Sequence, residues 1–251
     1  MALILLTNDD GFGAPGLCAL ETAFANEGEV WIVAPATGMS ACGRAVNLHR
    51  PLRIVENANR RLSVDGTPTD CVLLACRRLL PRIPDVVVSG INDGFNIGED
   101  LDYSGTVAGA LEGALQGAAC PVAVSIAYGS KDEALAWAAR ATVSLVRQLR
   151  DRPLPPRVAL NLNFPGKITT RLRFTRQGDF LGTGTVEART DPRGRDYFWI
   201  GQRPHQENPP PDSDRGALSD GCISATLVAL DRTYRGSFSR PEPTGTGLEF
   251  E

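Results

Sequence analysis

The sequence predicts an α/β fold: a Rossmann-like, mostly parallel, doubly wound sheet with hairpin and arm extensions at its C-terminal end. Three observations carry this expectation. Short apolar runs of strand length alternate with longer stretches of helical spacing through residues 1–164. The connections between them are short, which suits parallel strands joined by crossover helices. After Pro165 the texture changes to Gly, Pro, Arg and Asp, the composition of turns and arms.

Leu3–Leu6 is an apolar run ending at a turn, as expected of a strand buried on both faces. Leu17–Asn26 has helical spacing through Leu17, Leu20, Ala23 and Phe24, with Gly28 as a stop. Val30–Ala34 is a second strand, stopped by Pro35, and Arg61–Val64 an edge strand. Thr69–Leu80 reads as a helix ended by Pro81. Val86–Ser89 is a buried strand, Thr106–Gly117 an Ala-rich helix and Val122–Ile126 another strand. Lys131–Arg150 is a long amphipathic helix, followed by a strand at Val158–Asn163. Farther on, Tyr197–Ile200 and Cys222–Leu230 have strand character, Asn208–Asp214 is loop, and 236–251 is a Pro/Gly/Ser-rich tail. The expectation is one domain overall. Residues 1–164 form its α/β body, and 165–251 supply hairpins and arms that pack on that body or, in an oligomer, on another subunit.

Composition narrows the function. The 251 residues are 42% hydrophobic and 22% charged, a soluble globular balance that excludes wholesale disorder. No apolar run approaches the roughly 18 residues of a membrane span, and Met1–Thr7 has no basic flank of a signal peptide. A net charge of -3 and a pI near 5.5 supply no field for a nucleic-acid duplex. The six cysteines, at 18, 42, 71, 76, 120 and 222, lack C-x-x-C spacing. They read as reduced, mostly buried thiols of a cytoplasmic protein and argue against a thiolate zinc site. His49 and His205 lie in no acidic or Gly-rich motif and read as surface residues rather than bases.

Ligands of open α/β sheets bind beyond the carboxyl ends of the strands. The first strand delivers Asn8-Asp9-Asp10-Gly11 there, the second delivers Pro35–Ser40, and the Val86–Ser89 strand delivers the oxygen-rich run to Asp100. Adjacent Asp9 and Asp10 repel each other, and no Lys or Arg stands beside them in sequence. A hard divalent cation resolves this: Mg²⁺ or Mn²⁺, or Ca²⁺, rather than zinc. The alternative is a turn with a capping Asp. Tyr103-Ser104-Gly105-Thr106 opens a helix, where Ser104 or Thr106 suits the N-cap and Gly105 lets N–H groups approach an anion. Plain capping is the alternative there. A cation beside a phosphate cradle is equipment for metal-assisted phosphoryl chemistry.

Other patterns compete. Gly11-Phe-Gly13-Ala-Pro-Gly16 matches a dinucleotide fingerprint. Against it, the second strand ends Ala34-Pro35-Ala36, where a ribose-binding acid belongs, and Asp9-Asp10 would face a pyrophosphate with the wrong charge. Cys71 and Arg77 have the C-x5-R spacing of cysteine phosphatases, but the residues between them look like a buried helix face, which makes Cys71 core. Asp9-Asp10-Gly11 lacks the D-x-D spacing of a phosphoaspartate enzyme.

Several segments together resemble the SurE (survival protein E) family of metal-dependent 5'-nucleotidases. They are Thr7–Gly11, Val33–Pro35 with Ser40, Gly66–Cys71, Ser89–Asn92 with Gly94 and Asn96, and Tyr103–Thr106, spread over residues 1–126. The resemblance implies a Rossmann-like fold whose C-terminal elements are exchanged between subunits, as a homodimer or homotetramer. It implies hydrolysis of nucleoside 5'-monophosphates, some members acting on 3'-nucleotides or short polyphosphate, with one divalent cation per subunit, Mg²⁺ or Mn²⁺. By position, the metal ligands are Asp9, Asp10, Ser40 and Asn92, while Asn96, Ser104, Gly105 and Thr106 line the phosphate site. Asp9 is the residue expected to orient the attacking water. A non-catalytic Mg²⁺–nucleotide sensor with the same pocket is the rival from another class. The chain departs from the family pattern at Met39, where a basic residue is usual, and at Asp231–Arg235, which lacks the His some members carry. A mechanism that needs that His does not operate here.

Overall fold

The computed structural model describes residues 1–179, 183–202 and 208–233. Eleven strands and five α-helices lie among them. The first half runs β1 (Leu3–Thr7), α1 (Pro15–Phe24), β2 (Glu29–Pro35), β3 (Ile54–Ala58), β4 (Arg61–Val64) and α2 (Pro68–Leu74). It continues through β5 (Val86–Asp93), α3 (Gly105–Gln116), β6 (Cys120–Ile126), α4 (Asp132–Asp151) and β7 (Val158–Phe164). The remainder is β8 (Leu172–Thr175), β9 (Thr183–Thr190), β10 (Asp196–Gln202), α5 (Asp214–Ser219) and β11 (Ile223–Ala229).

Nine strands form one sheet in the order β3-β4-β2-β1-β5-β6-β7-β11-β8. The run from β4 to β7 is parallel, whereas β3 pairs antiparallel with β4 and β11 antiparallel with β7. The chain winds outward from β1 to β2 and β4, then returns to lay β5 on the other side of β1. The carboxyl ends of β1 and β5 therefore meet at the topological switch point, where such sheets hold ligands.

Both faces are covered. Leu17, Leu20 and Phe24 of α1 and Ala138, Ala139 and Val146 of α4 pack on Ile4, Leu6, Val88 and Val122. On the other face, Cys71, Val72 and Cys76 cover Leu5, Val33 and Val64, while Val107, Ala110 and Leu111 of α3 pack with Ala123 and Ala159. β1, β2 and β6, covered on both faces, are therefore apolar on both sides and read as runs, not alternations.

The structure departs from expectation at particular elements. Arg61–Val64 is a strand but not the edge, because β3 pairs outside it. Every residue of β3 is exposed, so Ile54–Ala58 carries no burial pattern to read. The helix read through Leu80 is α-helical only to Leu74 and closes with a π-helical turn over Ala75–Leu79. β5 runs to Asp93, with a register shift between Ser89 and Asn92, so Asn92 sits on a strand end and not in a loop. Of the segment after residue 164, β9 and β10 form a separate hairpin, whereas β8 and β11 are hydrogen-bonded into the main sheet. Asp214 begins α5 instead of closing a loop. Among the described residues no helix is long and apolar enough to cross a membrane.

Candidate active site

The turn after β1 is built by Asn8. Its Nδ2 donates to Gly11 O at 2.8 Å, and Gly11 N–H donates to Asn8 Oδ1 at 3.3 Å. The N-cap of α1 is Ala14, followed by Pro15. Neither carboxylate is spent on this turn or on capping α1; the helix-terminal amide that Asp9 does accept belongs to α3, 97 residues away.

Asp9 lies under the N-terminus of α3. Thr106 N–H donates to its Oδ2 at 3.0 Å, and the Thr106 hydroxyl donates to its Oδ1. Helix-terminal amides favour a carboxylate. Burial at 5% exposure outweighs them, and the Asp9 carboxyl is pushed up from its ordinary range. Asp10 is raised to about 6, chiefly by burial and then by the charge of Asp9, against one Asp93 N–H bond at 3.3 Å. Two neighbouring carboxyls that both resist ionisation mark a place short of positive charge.

Close approach of α3 makes this possible. A Cβ on Gly105 would fall 2.9 Å from Asp9 Oδ2 and 2.8 Å from Cys42 Sγ. One on Gly109 would fall 2.8 Å from Ser89 Oγ, and one on Gly113 the same distance from Val87 Cβ. Glycine at every fourth position lets the helix lie against β1 and β5. Gly16 has the same use: its Cβ would fall 2.0 Å from Ile91 O. The third glycine of the dinucleotide-like pattern thus serves helix–strand packing.

The segment carrying Ser40 crosses the same rim. Met39 N–H donates to Asp9 O at 2.7 Å, and Gly43 N–H donates to Tyr103 O at 2.9 Å, which leaves exposed Ser40 and half-buried Cys42 between two anchors. Farther along, Asn47 donates from its N–H and its Nδ2 to the buried carboxylate of Asp70, at 3.0 and 2.6 Å. Asn92 donates from Nδ2 to Gly94 O at 2.9 Å. Ser104 is the N-cap of α3: its Oγ accepts from Val107 N–H at 3.0 Å, which leaves the hydroxyl proton to donate elsewhere.

Asn96 is held from all sides. Its N–H donates to Asn163 Oδ1, its carbonyl accepts from Asn161 and Asn163, and its Nδ2 donates to Ser125 Oγ, all within 2.8–3.0 Å. Sequence reasoning passed over Asn161, Asn163 and Asp93. The signal for the first two was present: polar residues two apart in an otherwise apolar strand point to the same face. Asp93 accepts from Gly129 N–H at 2.7 Å, a contact 36 residues away with no sequence signature.

Cys71 is buried in α2, as expected of core, and none of the six cysteines is paired in a disulfide. His49 is exposed, and His205 lies outside the described residues. No group of three or more His, Cys, Asp or Glu gathers for a metal among the described residues. The oxygens on offer at the rim are two carboxylates, a hydroxyl and an amide.

Comparison with known proteins agrees with this geometry. Residues 4–181 match the family model described as Survival protein SurE. A 5'-nucleotidase SurE of Anaeromyxobacter dehalogenans is 46% identical over 238 residues, covering 94% of this chain and 92% of that protein. One from Geotalea daltonii is 43% identical over 239 residues, covering 94% and 96%. The crystal structure of the SurE protein from Aquifex aeolicus superposes with a TM-score of 0.81 at 35% identity, covering 92% and 94% of the two chains. With its switch-point carboxylates, its close-packed α3 and matches of this extent, the chain belongs to the SurE family.

Proposed function

We propose that the chain is a metal-dependent phosphomonoesterase that converts nucleoside 5'-monophosphates to nucleoside and inorganic phosphate. The observation that carries this reading is the Asp9–Asp10 pair, charge-starved and set beside a helix N-terminus at the switch point. The relatives' printed name, 5'-nucleotidase, supports it.

The donor set suits one hard divalent cation per subunit, Mg²⁺ or Mn²⁺, held by Asp9, Asp10, Ser40 and Asn92. With Asn92 Nδ2 committed to Gly94, its Oδ1 is the atom a cation would take. The chemistry such a cation supplies is neutralisation of phosphate charge and acidification of a nearby water.

The remaining work falls to the chain. Asp9 is fixed by the two Thr106 donors, so its carboxylate can orient the water that attacks phosphorus. The P–O5' bond breaks as the water oxygen bonds to phosphorus; one proton of that water stays with the phosphate and O5' takes up the other by way of solvent, leaving nucleoside and inorganic phosphate. Asn96, Ser104, Gly105 and Thr106 line the phosphate side, with the Ser104 hydroxyl the freest donor. The Thr106 hydroxyl proton is committed to Asp9, so Thr106 serves the phosphate mainly by setting Asp9.

Two further parts of the reading concern the whole protein. The β9–β10 hairpin exposes Phe198, Trp199 and Ile200, which suits burial against a second copy in a homodimer or homotetramer. Six unpaired thiols suit the cytoplasm. Release of inorganic phosphate from AMP tests the activity. Stoichiometric AMP binding without phosphate release would make the protein a nucleotide sensor instead.

A further inference from the structure

Beneath the phosphate side of the site lies a second layer of polar contacts that comes from the C-terminal part of the chain. Asp214, the first residue of α5, is fully buried. Its Oδ2 accepts from Gly98 N–H at 2.8 Å, and its Oδ1 accepts from Gly178 N–H at 3.2 Å and Arg215 N–H at 2.7 Å. Gln177 reaches the other side of the same glycine, donating from Nε2 to Gly98 O at 2.8 Å. Gly98 is thus gripped at both N–H and C=O by residues far along the chain, and it lies two residues from Asn96.

The grip is itself built rigidly. Ser213 caps α5 through Gly216 N–H at 3.1 Å, and Asp214 N–H donates to Arg176 O at 3.0 Å. A Cβ on Gly178 would stand 2.9 Å from Asp214 Oδ1, so the 176–178 strip passes directly over the carboxylate. A buried carboxylate is costly unless its acceptor sites are filled, and here main-chain donors fill them. Packing alone would be met more simply by an apolar residue at 214. What an apolar residue cannot do is fix the Gly98 peptide in direction.

We propose that Asp214 and Gln177 are positioning residues that set the 96–98 segment, and with it the Asn96 side chain, for the phosphate. The segment after residue 165 then completes the catalytic site and does not act only as an arm. This rests on the reading of Asn96 as a phosphate contact.

The test compares Gln177→Met, an exposed position where folding is safe, with Asp214→Asn, which keeps shape but loses charge. AMP hydrolysis, inhibition by inorganic phosphate and the Mg²⁺ activation constant are measured for each. The KM for AMP and the inhibition constant of phosphate rise together, by about threefold to tenfold for Gln177→Met, the range of one neutral hydrogen bond. The Mg²⁺ constant stays unchanged, and Asp214→Asn shows the larger effect if it folds. A lowered melting temperature with unchanged KM and phosphate inhibition in Gln177→Met overturns the proposal. Amide hydrogen exchange at 96–98 and titration with inorganic phosphate do not need turnover. If the wild type hydrolyses no nucleotide, the functional reading fails. Faster exchange with weaker phosphate binding in Gln177→Met still supports the clasp, and unchanged values of both overturn it.

Discussion

Gly109→Ala separates the two roles of α3, as a core helix and as the support of Asp9. In isolation the change favours the helix by about 1 kcal/mol, because Ala has the better propensity. The new Cβ, however, would lie 2.8 Å from Ser89 Oγ and 3.2 Å from Thr7 Cγ2. Ordinary contact needs about 3.5–4.0 Å, so α3 must retreat by roughly 0.5–1 Å. Overpacking of that kind costs about 1–3 kcal/mol. The net is a loss of about 0–2 kcal/mol, or a fall in melting temperature of up to about 8 °C for a chain of this size. The kinetic effect is larger. Thr106 N–H stands 3.0 Å from Asp9 Oδ2, and a retreat of the helix by the same amount ends that bond. A misplacement near 1 Å costs up to about 100-fold, and we expect kcat to fall by about 10–100-fold. Ser89 Oγ has no hydrogen-bond partner among the described residues, so Ser89→Ala removes the nearest of the obstructing atoms cheaply, and the double variant should regain part of the lost turnover. Gly13→Ala, where no atom lies within 4 Å, is the control. Thermal unfolding and AMP turnover are measured on these four variants and on the wild type. A Gly109→Ala protein with a raised melting temperature and full turnover would refute the claim that α3 is held close for the sake of Asp9.

The other expectations follow from the same contacts. Asp9→Asn should lower turnover by at least about 100-fold while leaving the metal-free protein no less stable, because its buried charge is a cost there; near-normal turnover would leave Asp9 only a brace for the start of α3. Thr106→Val keeps shape and N–H but removes the hydroxyl bond to Asp9, so kcat/KM should fall alike for AMP, GMP and CMP. A lowered melting temperature with intact kinetics would leave Thr106 to the helix alone. Light scattering should give at least twice the 26.9 kDa of one chain, and a monomer at micromolar concentration would contradict the reading of the β9–β10 hairpin.

The central strands were legible because burial on both faces leaves an apolar run, and Leu3–Thr7, Val86–Ser89 and Val122–Ile126 all show one. Helices with one buried stripe, α1 and α4, were legible for the matching reason. Of the outer strands, β10 and β11 were legible and β3, β8 and β9 were not. β3 buries nothing, and β9 has no apolar run of its own, although it pairs along the length of β10. α5 was hidden by the Pro-rich segment before it, where Ser213 and Asp214 read as loop composition yet cap and begin a helix. At the site, Asp9, Asp10 and the Ser104–Thr106 turn are visible because carboxylates and hydroxyls at strand and helix ends have few structural uses. What connects them is long-range. The Thr106 bond to Asp9 spans 97 residues, and the Asp214 bond to Gly98 spans 116. Such contacts leave no local pattern, so the sequence shows the groups that do chemistry and hides those that hold them in place.

The central claim is that the Asp9–Asp10 rim binds a hard divalent cation on which phosphate release depends. The most direct measurement is phosphate release from AMP by chelator-stripped protein titrated with Mg²⁺, Mn²⁺ and Zn²⁺, with bound metal counted on the same samples. The account predicts no activity in the stripped protein, recovery with Mg²⁺ or Mn²⁺ at one equivalent per subunit, and no cation bound when Asp9 and Asp10 are both Asn. Full turnover in metal-free protein, or undiminished cation binding in the Asp9→Asn, Asp10→Asn double variant, would contradict it.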